Sequence, residues 1–205
     1  IVSDKPQTTR NRIMGVLTKG ETQLVFLDTP GAHRPRTRLG DFMVKSISEA
    51  VSGVDAAVLV AEPTLGAVKE EERNLLAQCR KSRLPVVLVI NKTDTLAEKS
   101  RLLPVMEKWR QEYDFAAILP VSALTGDGVD DVVRELSQFT FESPHFFPDD
   151  MVSDQPERVV AAELIREKML CLLRDEIPHG VAVVIENARE RETEHGPILD
   201  LDAYI

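Results

Sequence analysis

The stretch Pro85-Val86-Val87-Leu88-Val89-Ile90-Asn91-Lys92-Thr93-Asp94 decides the fold. Residues 86–90 are apolar and mostly β-branched without interruption. So short a run predicts a strand covered on both faces, the condition of strands in parallel sheets. It breaks abruptly into an amide, an ammonium, a hydroxyl and a carboxylate. Ligands of open α/β sheets bind beyond the carboxyl ends of the strands, so these four side chains are candidates for a binding loop.

Working outward, the same alternation repeats on both sides. Residues 54–61 form a second near-continuous apolar run, read as a strand buried on both faces, and 116–121 a third. Between them lie segments of helical composition at 70–82 and 97–112, and another follows at 129–139. In 97–112, Leu102, Leu103, Val105, Met106 and Trp109 are expected on the apolar side. Strands alternating with helices predict an α/β fold: a mostly parallel sheet with helices on both faces. Toward the N-terminus, 12–19 and 22–28 flank Gly20-Glu21 and predict a β-hairpin. A loop rich in Pro, Gly and Arg follows at 29–40, then a helix over 41–52 with Asp41 as its cap and Gly53 as its stop.

The pattern changes near residue 141. Residues 142–156 hold three prolines and the pair Phe146-Phe147, and read as a linker that docks through those aromatics. A strongly amphipathic helix is expected over 157–174, with Val160, Leu164, Met169 and Leu172 or Leu173 on its apolar side. A strand at 181–186, a charged turn at 189–195 and a strand at 198–205 complete the chain. The expected division is a first domain over 1–140, a linker over 141–156 and the start of an α+β domain over 157–205.

Composition narrows the function. The 205 residues carry a net charge of −9, which excludes a uniformly basic nucleic-acid binder. Residues 1–45 nevertheless hold eight Lys/Arg against four Asp/Glu, a surface suited to an anion. No run approaches 18 uncharged apolar residues, and the first residues lack a signal-peptide core. Two widely spaced cysteines, Cys79 and Cys171, read as reduced thiols of a cytosolic protein.

Three motifs stand at the C-terminal ends of predicted strands. Asp28-Thr29-Pro30-Gly31 follows the second hairpin strand. An acid there can hold Mg²⁺ through water, while a glycine N–H approaches a phosphate. Asn91-Lys92-Thr93-Asp94 offers a carboxylate to the adjacent N1–H and N2 amino donors of guanine, which adenine lacks. The Lys92 stem can lie along the base with its ammonium kept polar. At Ser122-Ala123-Leu124 a small residue lets a backbone N–H reach the guanine O6. Ahead of the hairpin stands Gln7-Thr8-Thr9-Arg10-Asn11, where a threonine in a mobile loop can ligate Mg²⁺ and sense a γ-phosphate.

In order and spacing these elements resemble the nucleotide loops of P-loop GTPases, and one family in particular: the Era GTPases, a GTPase domain followed by a KH-type RNA-binding domain. Residues 6–13, Pro-Gln-Thr-Thr-Arg-Asn-Arg-Ile, are similar to that family's switch I. Phe146-Phe147-Pro148 and Ala162-Glu163-Leu164-Ile165-Arg166-Glu167-Lys168 resemble its interdomain linker and first KH helix. The resemblance implies GTP and GDP as ligands with Mg²⁺ held by Thr9 and, through water, Asp28. It implies guanine binding by Asn91, Lys92, Thr93, Asp94, Ser122, Ala123 and Leu124. The implied partner is small-subunit ribosomal RNA, and the small ribosomal subunit during its maturation. The implied setting is the cytoplasm, with peripheral contact at the inner face of the cell membrane.

Two departures qualify the resemblance. The 205 residues contain no Gly-Lys pair, so the phosphate-cradling Gly-x-x-x-x-Gly-Lys-Ser/Thr loop is absent from them. The family places that loop before switch I, and the Gly-x-x-Gly clamp of the KH domain beyond residue 205. Both ends are therefore expected to be cut. Residues 157–205 hold six Lys/Arg against eleven Asp/Glu, so RNA binding is expected to depend on a further segment. Ala32 follows Gly31 where Ras-like enzymes carry a water-orienting glutamine, so another group or a bound monovalent cation is expected to do that work. The rival reading is a non-catalytic interaction module that has lost the phosphate-binding loop.

Overall fold

Strand β4 (Val86–Ile90) is buried along its whole length. The computed structural model describes residues 13–28, 53–172, 182–194 and 196–205. The expected loop at 29–40 and helix at 41–52 lie outside the described residues. β4 pairs in parallel with β3 (Ala57–Ala61) on one side and β5 (Ala117–Pro120) on the other. Because side chains alternate across a strand, β4 feeds two cores. Val86, Leu88 and Ile90 join Leu76 and Cys79 of α1 (Glu70–Lys81) and Val105 and Trp109 of α2 (Leu102–Glu112). Val87 and Val89 pack on the opposite face with Val121 and with Leu136 of α3 (Val129–Leu136). The expected parallel sheet with helices on both faces is the observed architecture.

Local chemistry sets the helix ends. The Lys69 N–H donates to the Glu72 carboxylate at 2.7 Å, closing the first turn of α1. Acids at 70–72 and the cations Arg80 and Lys81 complement its dipole. α2 starts at Leu102, later than the expected 97, after a 3₁₀ turn at Lys99–Arg101. Pro104 supplies the reason: proline fits only the first helical turn, since deeper in a helix its ring strikes the preceding turn. Leu103 is largely exposed rather than on the apolar face. α3 ends at Leu136, and a 3₁₀ turn at Ser137–Phe139 completes the segment.

β3 corrects one expectation. The strand begins at Ala57, and only its Ala57, Leu59 and Ala61 side meets the first core. Val58 and Val60 are exposed, at 38% and 59%. β3 is an edge of the three-stranded sheet among the described residues.

The hairpin forms as expected. β1 (Ile13–Lys19) pairs antiparallel with β2 (Thr22–Asp28), from Ile13 opposite Asp28 to Lys19 opposite Thr22. Gly20 takes the positive φ, +62°, that the tight turn requires. Leu24 of β2 packs on the second core. The linker runs back along this hairpin. The Val16 N–H donates to the Val152 carbonyl at 2.9 Å, and the Ser153 hydroxyl to the Met14 carbonyl at 2.6 Å. The Gln23 amide binds both polar groups of the Phe147 backbone, at 2.9 and 3.0 Å. The segment thus bonds the hairpin through backbone groups of Phe147 and Val152 and through the Ser153 hydroxyl; of the two aromatics expected to dock it, Phe147 is half-buried and Phe146 is 71% exposed.

Beyond the linker, α4 (Glu157–Leu172) is less amphipathic than expected. Val160, Leu164 and Leu172 are exposed, while Arg166 is buried and bonded to Glu163. Apolar residues are spread around this helix, so their presence did not define one face. β6 (Val184–Thr193) pairs antiparallel with β7 (Gly196–Tyr204), with a bulge between Ile185 and Asn187. The expected charged turn at 189–195 is mostly strand. Within it Arg191 bonds Asp200 of the facing strand at 2.7 Å.

Two predictions follow from this packing. Leu88→Ala removes a fully buried side chain from the central strand and should destabilise the fold by about 2–5 kcal/mol, read as a lower urea midpoint. The second concerns His145, whose Nδ1 lies 2.6 Å from an Asp149 carboxylate oxygen and Nε2 3.1 Å from the Glu21 carbonyl. Both partners only accept, so the ring satisfies both when it is protonated. The Asp149 bond first, and the Glu21 carbonyl second, raise the His145 pKa above its ordinary 6.5. A raised folded pKa stabilises fully below the unfolded value and fades as pH climbs through the folded one. The urea midpoint of the native protein should exceed that of His145→Leu at pH 6, and the gap should close by pH 9.

Candidate guanine-nucleotide site

Parallel register brings the loops after β3, β4 and β5 to one edge of the sheet, because Ala61 pairs with Ile90 and Ile90 with Pro120. Backbone bonds then lock the loops together. The Asn91 N–H donates to the Ala61 carbonyl at 2.8 Å, Val121 N–H to Ile90 at 2.8 Å, and Thr93 N–H to Val121 at 3.1 Å.

Side chains join the second and third loops directly. The Asn91 Oδ1 accepts the N–H of Ala123 at 2.9 Å and that of Lys92 at 2.8 Å. The hydroxyl of Ser122, only 1% exposed, donates to Asp94 Oδ1 at 2.6 Å. Ser122 Oγ also accepts the Thr125 N–H at 3.2 Å. The carboxylate of Asp94 is thus oriented from beneath by a buried hydroxyl. An oriented carboxylate is an acceptor pair for two adjacent N–H donors, and so fits the guanine edge.

Lys92 adopts φ +65° and ψ +35°, a left-handed conformation that is uncommon for a side-chain-bearing residue. Its carbonyl accepts the N–H and the hydroxyl of Thr95, at 3.1 and 2.7 Å, which holds this turn. Its ammonium reaches Glu62 Oε1 at 2.5 Å. That contact raises the Lys92 pKa and holds Glu62 below the ordinary carboxylate range. Leu124 is exposed at the lip of its loop.

Thus Asn91, Lys92, Thr93, Asp94, Ser122, Ala123 and Leu124 occupy two interlocked loops. Asp28 lies at the exposed end of β2, opposite Ile13. The hairpin therefore puts Asp28 beside Ile13, the first described residue. Gln7, Thr8, Thr9, Arg10, Asn11, Thr29, Pro30 and Gly31 lie outside the described residues. Among the described residues no group of three or more His, Cys, Asp or Glu could hold a metal.

Sequence reasoning missed two contributors. Glu62 directly follows a strand, the same signal that marked the other loops. Gly128, at φ +78°, had no such signal. A Cβ there would lie 2.5 Å from the Pro120 carbonyl oxygen, so glycine lets the loop close and allows the Ser122 N–H to reach the Asp127 carbonyl at 2.9 Å.

A parallel sheet flanked by helices, with polar loops interlocked at its carboxyl edge, defines a nucleotide-binding α/β protein. The family model of the elongation factor Tu GTP-binding domain matches residues 7–142. GTPase Era of Clostridioides difficile is 45% identical over 205 residues, all of this chain and 68% of that protein. GTPase Era of Ruminiclostridium cellulolyticum is 45% identical over 194 residues, 94% of this chain and 64% of that protein. The crystal structure of Era in complex with MgGDPNP and a segment of 16S ribosomal RNA superimposes with a TM-score of 0.88 at 31% identity, covering 99% of this chain and 68% of that one. An Aquifex aeolicus Era variant bound to GDP and AlF4⁻ gives 0.86 at 30% identity, covering 99% and 69%. The chain belongs to the Era family of GTPases. It spans about two-thirds of the length of these relatives, from 64% to 69%.

Ser122→Ala removes a buried, charge-assisted hydrogen bond to Asp94, worth about 1.5–3 kcal/mol. GDP affinity should fall at least tenfold by calorimetry while the circular dichroism spectrum is retained. Gly128→Ala should cost more than the ~1 kcal/mol of ordinary backbone strain, because its Cβ meets backbone, and should lower the melting temperature as well.

Proposed function

We propose that this chain is part of a GTP-binding and GTP-hydrolysing switch protein that binds small-subunit ribosomal RNA and assists maturation of the small ribosomal subunit. The observation that carries the reading is the interlock of the two guanine loops, Asn91 to Ala123 and Ser122 to Asp94. Residues 1–140 serve as the GTPase domain, 141–156 as the linker and 157 onward as the start of the KH-type RNA-binding domain. The relatives named GTPase Era and the Era complex with 16S ribosomal RNA support this reading.

In this proposal Asp94 accepts the two guanine donors, and Asn91 keeps the loops in register. The Lys92 stem flanks the base, and the Ala123 backbone lies at the O6 edge. Thr9 and Asp28 hold Mg²⁺, Asp28 through water. When bound, Mg²⁺ neutralises charge developing on the phosphates. GTP orders 7–12 and the loop 29–40 through Mg²⁺ and γ-phosphate contacts, and hydrolysis releases them, which constitutes the switch. With Ala32 after Gly31, a monovalent cation or another group orients the attacking water. The protein acts in the cytoplasm, with peripheral contact at the inner face of the membrane. No described helix is long and apolar enough to cross a membrane.

Asp94→Asn tests the assignment in the full-length protein. It places a donor against the guanine amino group and should weaken GTP binding by about 2–4 kcal/mol. Xanthine carries an oxygen there, so XTP should become the preferred nucleotide. A variant that still prefers GTP in competition binding would refute the role of Asp94. Thr9→Ala should stop hydrolysis while leaving GDP affinity nearly unchanged, since GDP has no γ-phosphate to sense; equal loss of both nucleotides would show a structural role.

A further inference from the structure

Glu62 stands outside every motif recognised in the sequence, yet it contacts the guanine loop. It follows Ala61, the last residue of β3, and the Asn91 N–H bond to the Ala61 carbonyl holds the two chains side by side there. The Glu62 carbonyl accepts the Thr64 N–H at 2.8 Å in a turn containing Pro63, and a residue before proline has few backbone states. Its carboxylate therefore projects from a constrained point. Lys92 is constrained as well, by its left-handed backbone and the bonds to Asn91 and Thr95. The 2.5 Å ion pair therefore ties the Lys92 side chain from its own loop to the chain just after β3.

Charge supplies the second part of the argument. Asp94, two residues along, also attracts the Lys92 ammonium. An ammonium released from Glu62 would be drawn toward the carboxylate that guanine needs. Glu62 offers it a partner on the neighbouring loop, away from the Ser122-bound end of Asp94.

We infer that Glu62 is a positioning residue for guanine-nucleotide binding: it holds the Lys92 ammonium on the β3 side, so that the lysine stem forms a fixed wall of the base slot and Asp94 stays free for the base. This rests on the assignment of the two loops to guanine. The hydrogen-bonded cation of Glu62 is Lys92, and the proposed effect runs through that lysine. Both side chains are more than half exposed, at 60% and 59%, so the effect is modest and screened by salt.

The test is a double-mutant cycle on the full-length protein, read by titration of a fluorescent GDP. Glu62→Gln should weaken GDP binding about threefold at low salt, the scale of an exposed ion pair. Lys92→Met should also weaken it, and adding Glu62→Gln to Lys92→Met should change nothing further. The ratio of GDP to IDP affinity should be higher in the native protein than in Glu62→Gln, because freeing Lys92 engages Asp94, which reads the amino group that inosine lacks; an unchanged ratio would overturn the proposal. The melting temperature of the nucleotide-free protein should be unchanged. Undiminished GDP binding by Glu62→Gln, or a full additional loss in the Lys92→Met background, would overturn the proposal. Failure of the native protein to bind GDP would instead overturn the guanine assignment beneath it.

Discussion

Two-sided burial of β4 is the constraint on which the rest of the structure depends. Five consecutive apolar side chains satisfy it only if layers cover both faces of the strand. α1 and α2 supply one layer, and α3 with Leu24 of the hairpin supplies part of the other. Parallel pairing on both edges follows, since crossover helices are what place layers on the faces. The same pairing decides where the chemistry goes. Strands running in one direction at one register must release their loops at one edge, where Asn91, Asp94 and Ser122 meet.

Rigidity at that edge comes from hydrogen bonds rather than apolar contact. Asn91 gives its side-chain oxygen to two backbone N–H groups, and Ser122 gives its hydroxyl to Asp94. A carboxylate already oriented loses less entropy when a ligand arrives, which is the physical content of preorganisation. The left-handed turn at Lys92 belongs to the same economy of motion. A backbone state of this kind persists where neighbouring bonds overdetermine it.

The hairpin packs on the second core through Leu24 and bonds the segment 147–153 along its flank. Its open end pairs Ile13 with Asp28, and its flank bonds residues 147–153 through Met14, Val16 and Gln23. Gln23 matches both polar groups of Phe147, much as a neighbouring strand would. Sequence reading placed a linker at this point and expected aromatic side chains to dock it. Hydrogen bonds to the hairpin do most of it, because Met14, Val16 and Gln23 have polar groups to offer there, while Phe146 stands exposed.

The sequence by itself determined the strand–helix alternation, the hairpin with its Gly20 turn, and the loops that end the strands. Each of these is written in local periodicity or in short motifs, and local physics suffices to read them. Only the tertiary structure decided which apolar residues are covered. Val58, Val60, Leu103 and Leu164 look like core residues in the chain and stand exposed, whereas Arg166 is buried. Exposure depends on what packs against a face, and periodicity does not carry that information. Tertiary structure likewise decided that a buried serine orients Asp94, that Gly128 must lack a side chain to let the loop close, and that Glu62 holds Lys92. Those contacts join residues 28 and 30 positions apart, or a glycine and the strand end it approaches, and only the shared register of parallel strands brings them within hydrogen-bonding reach.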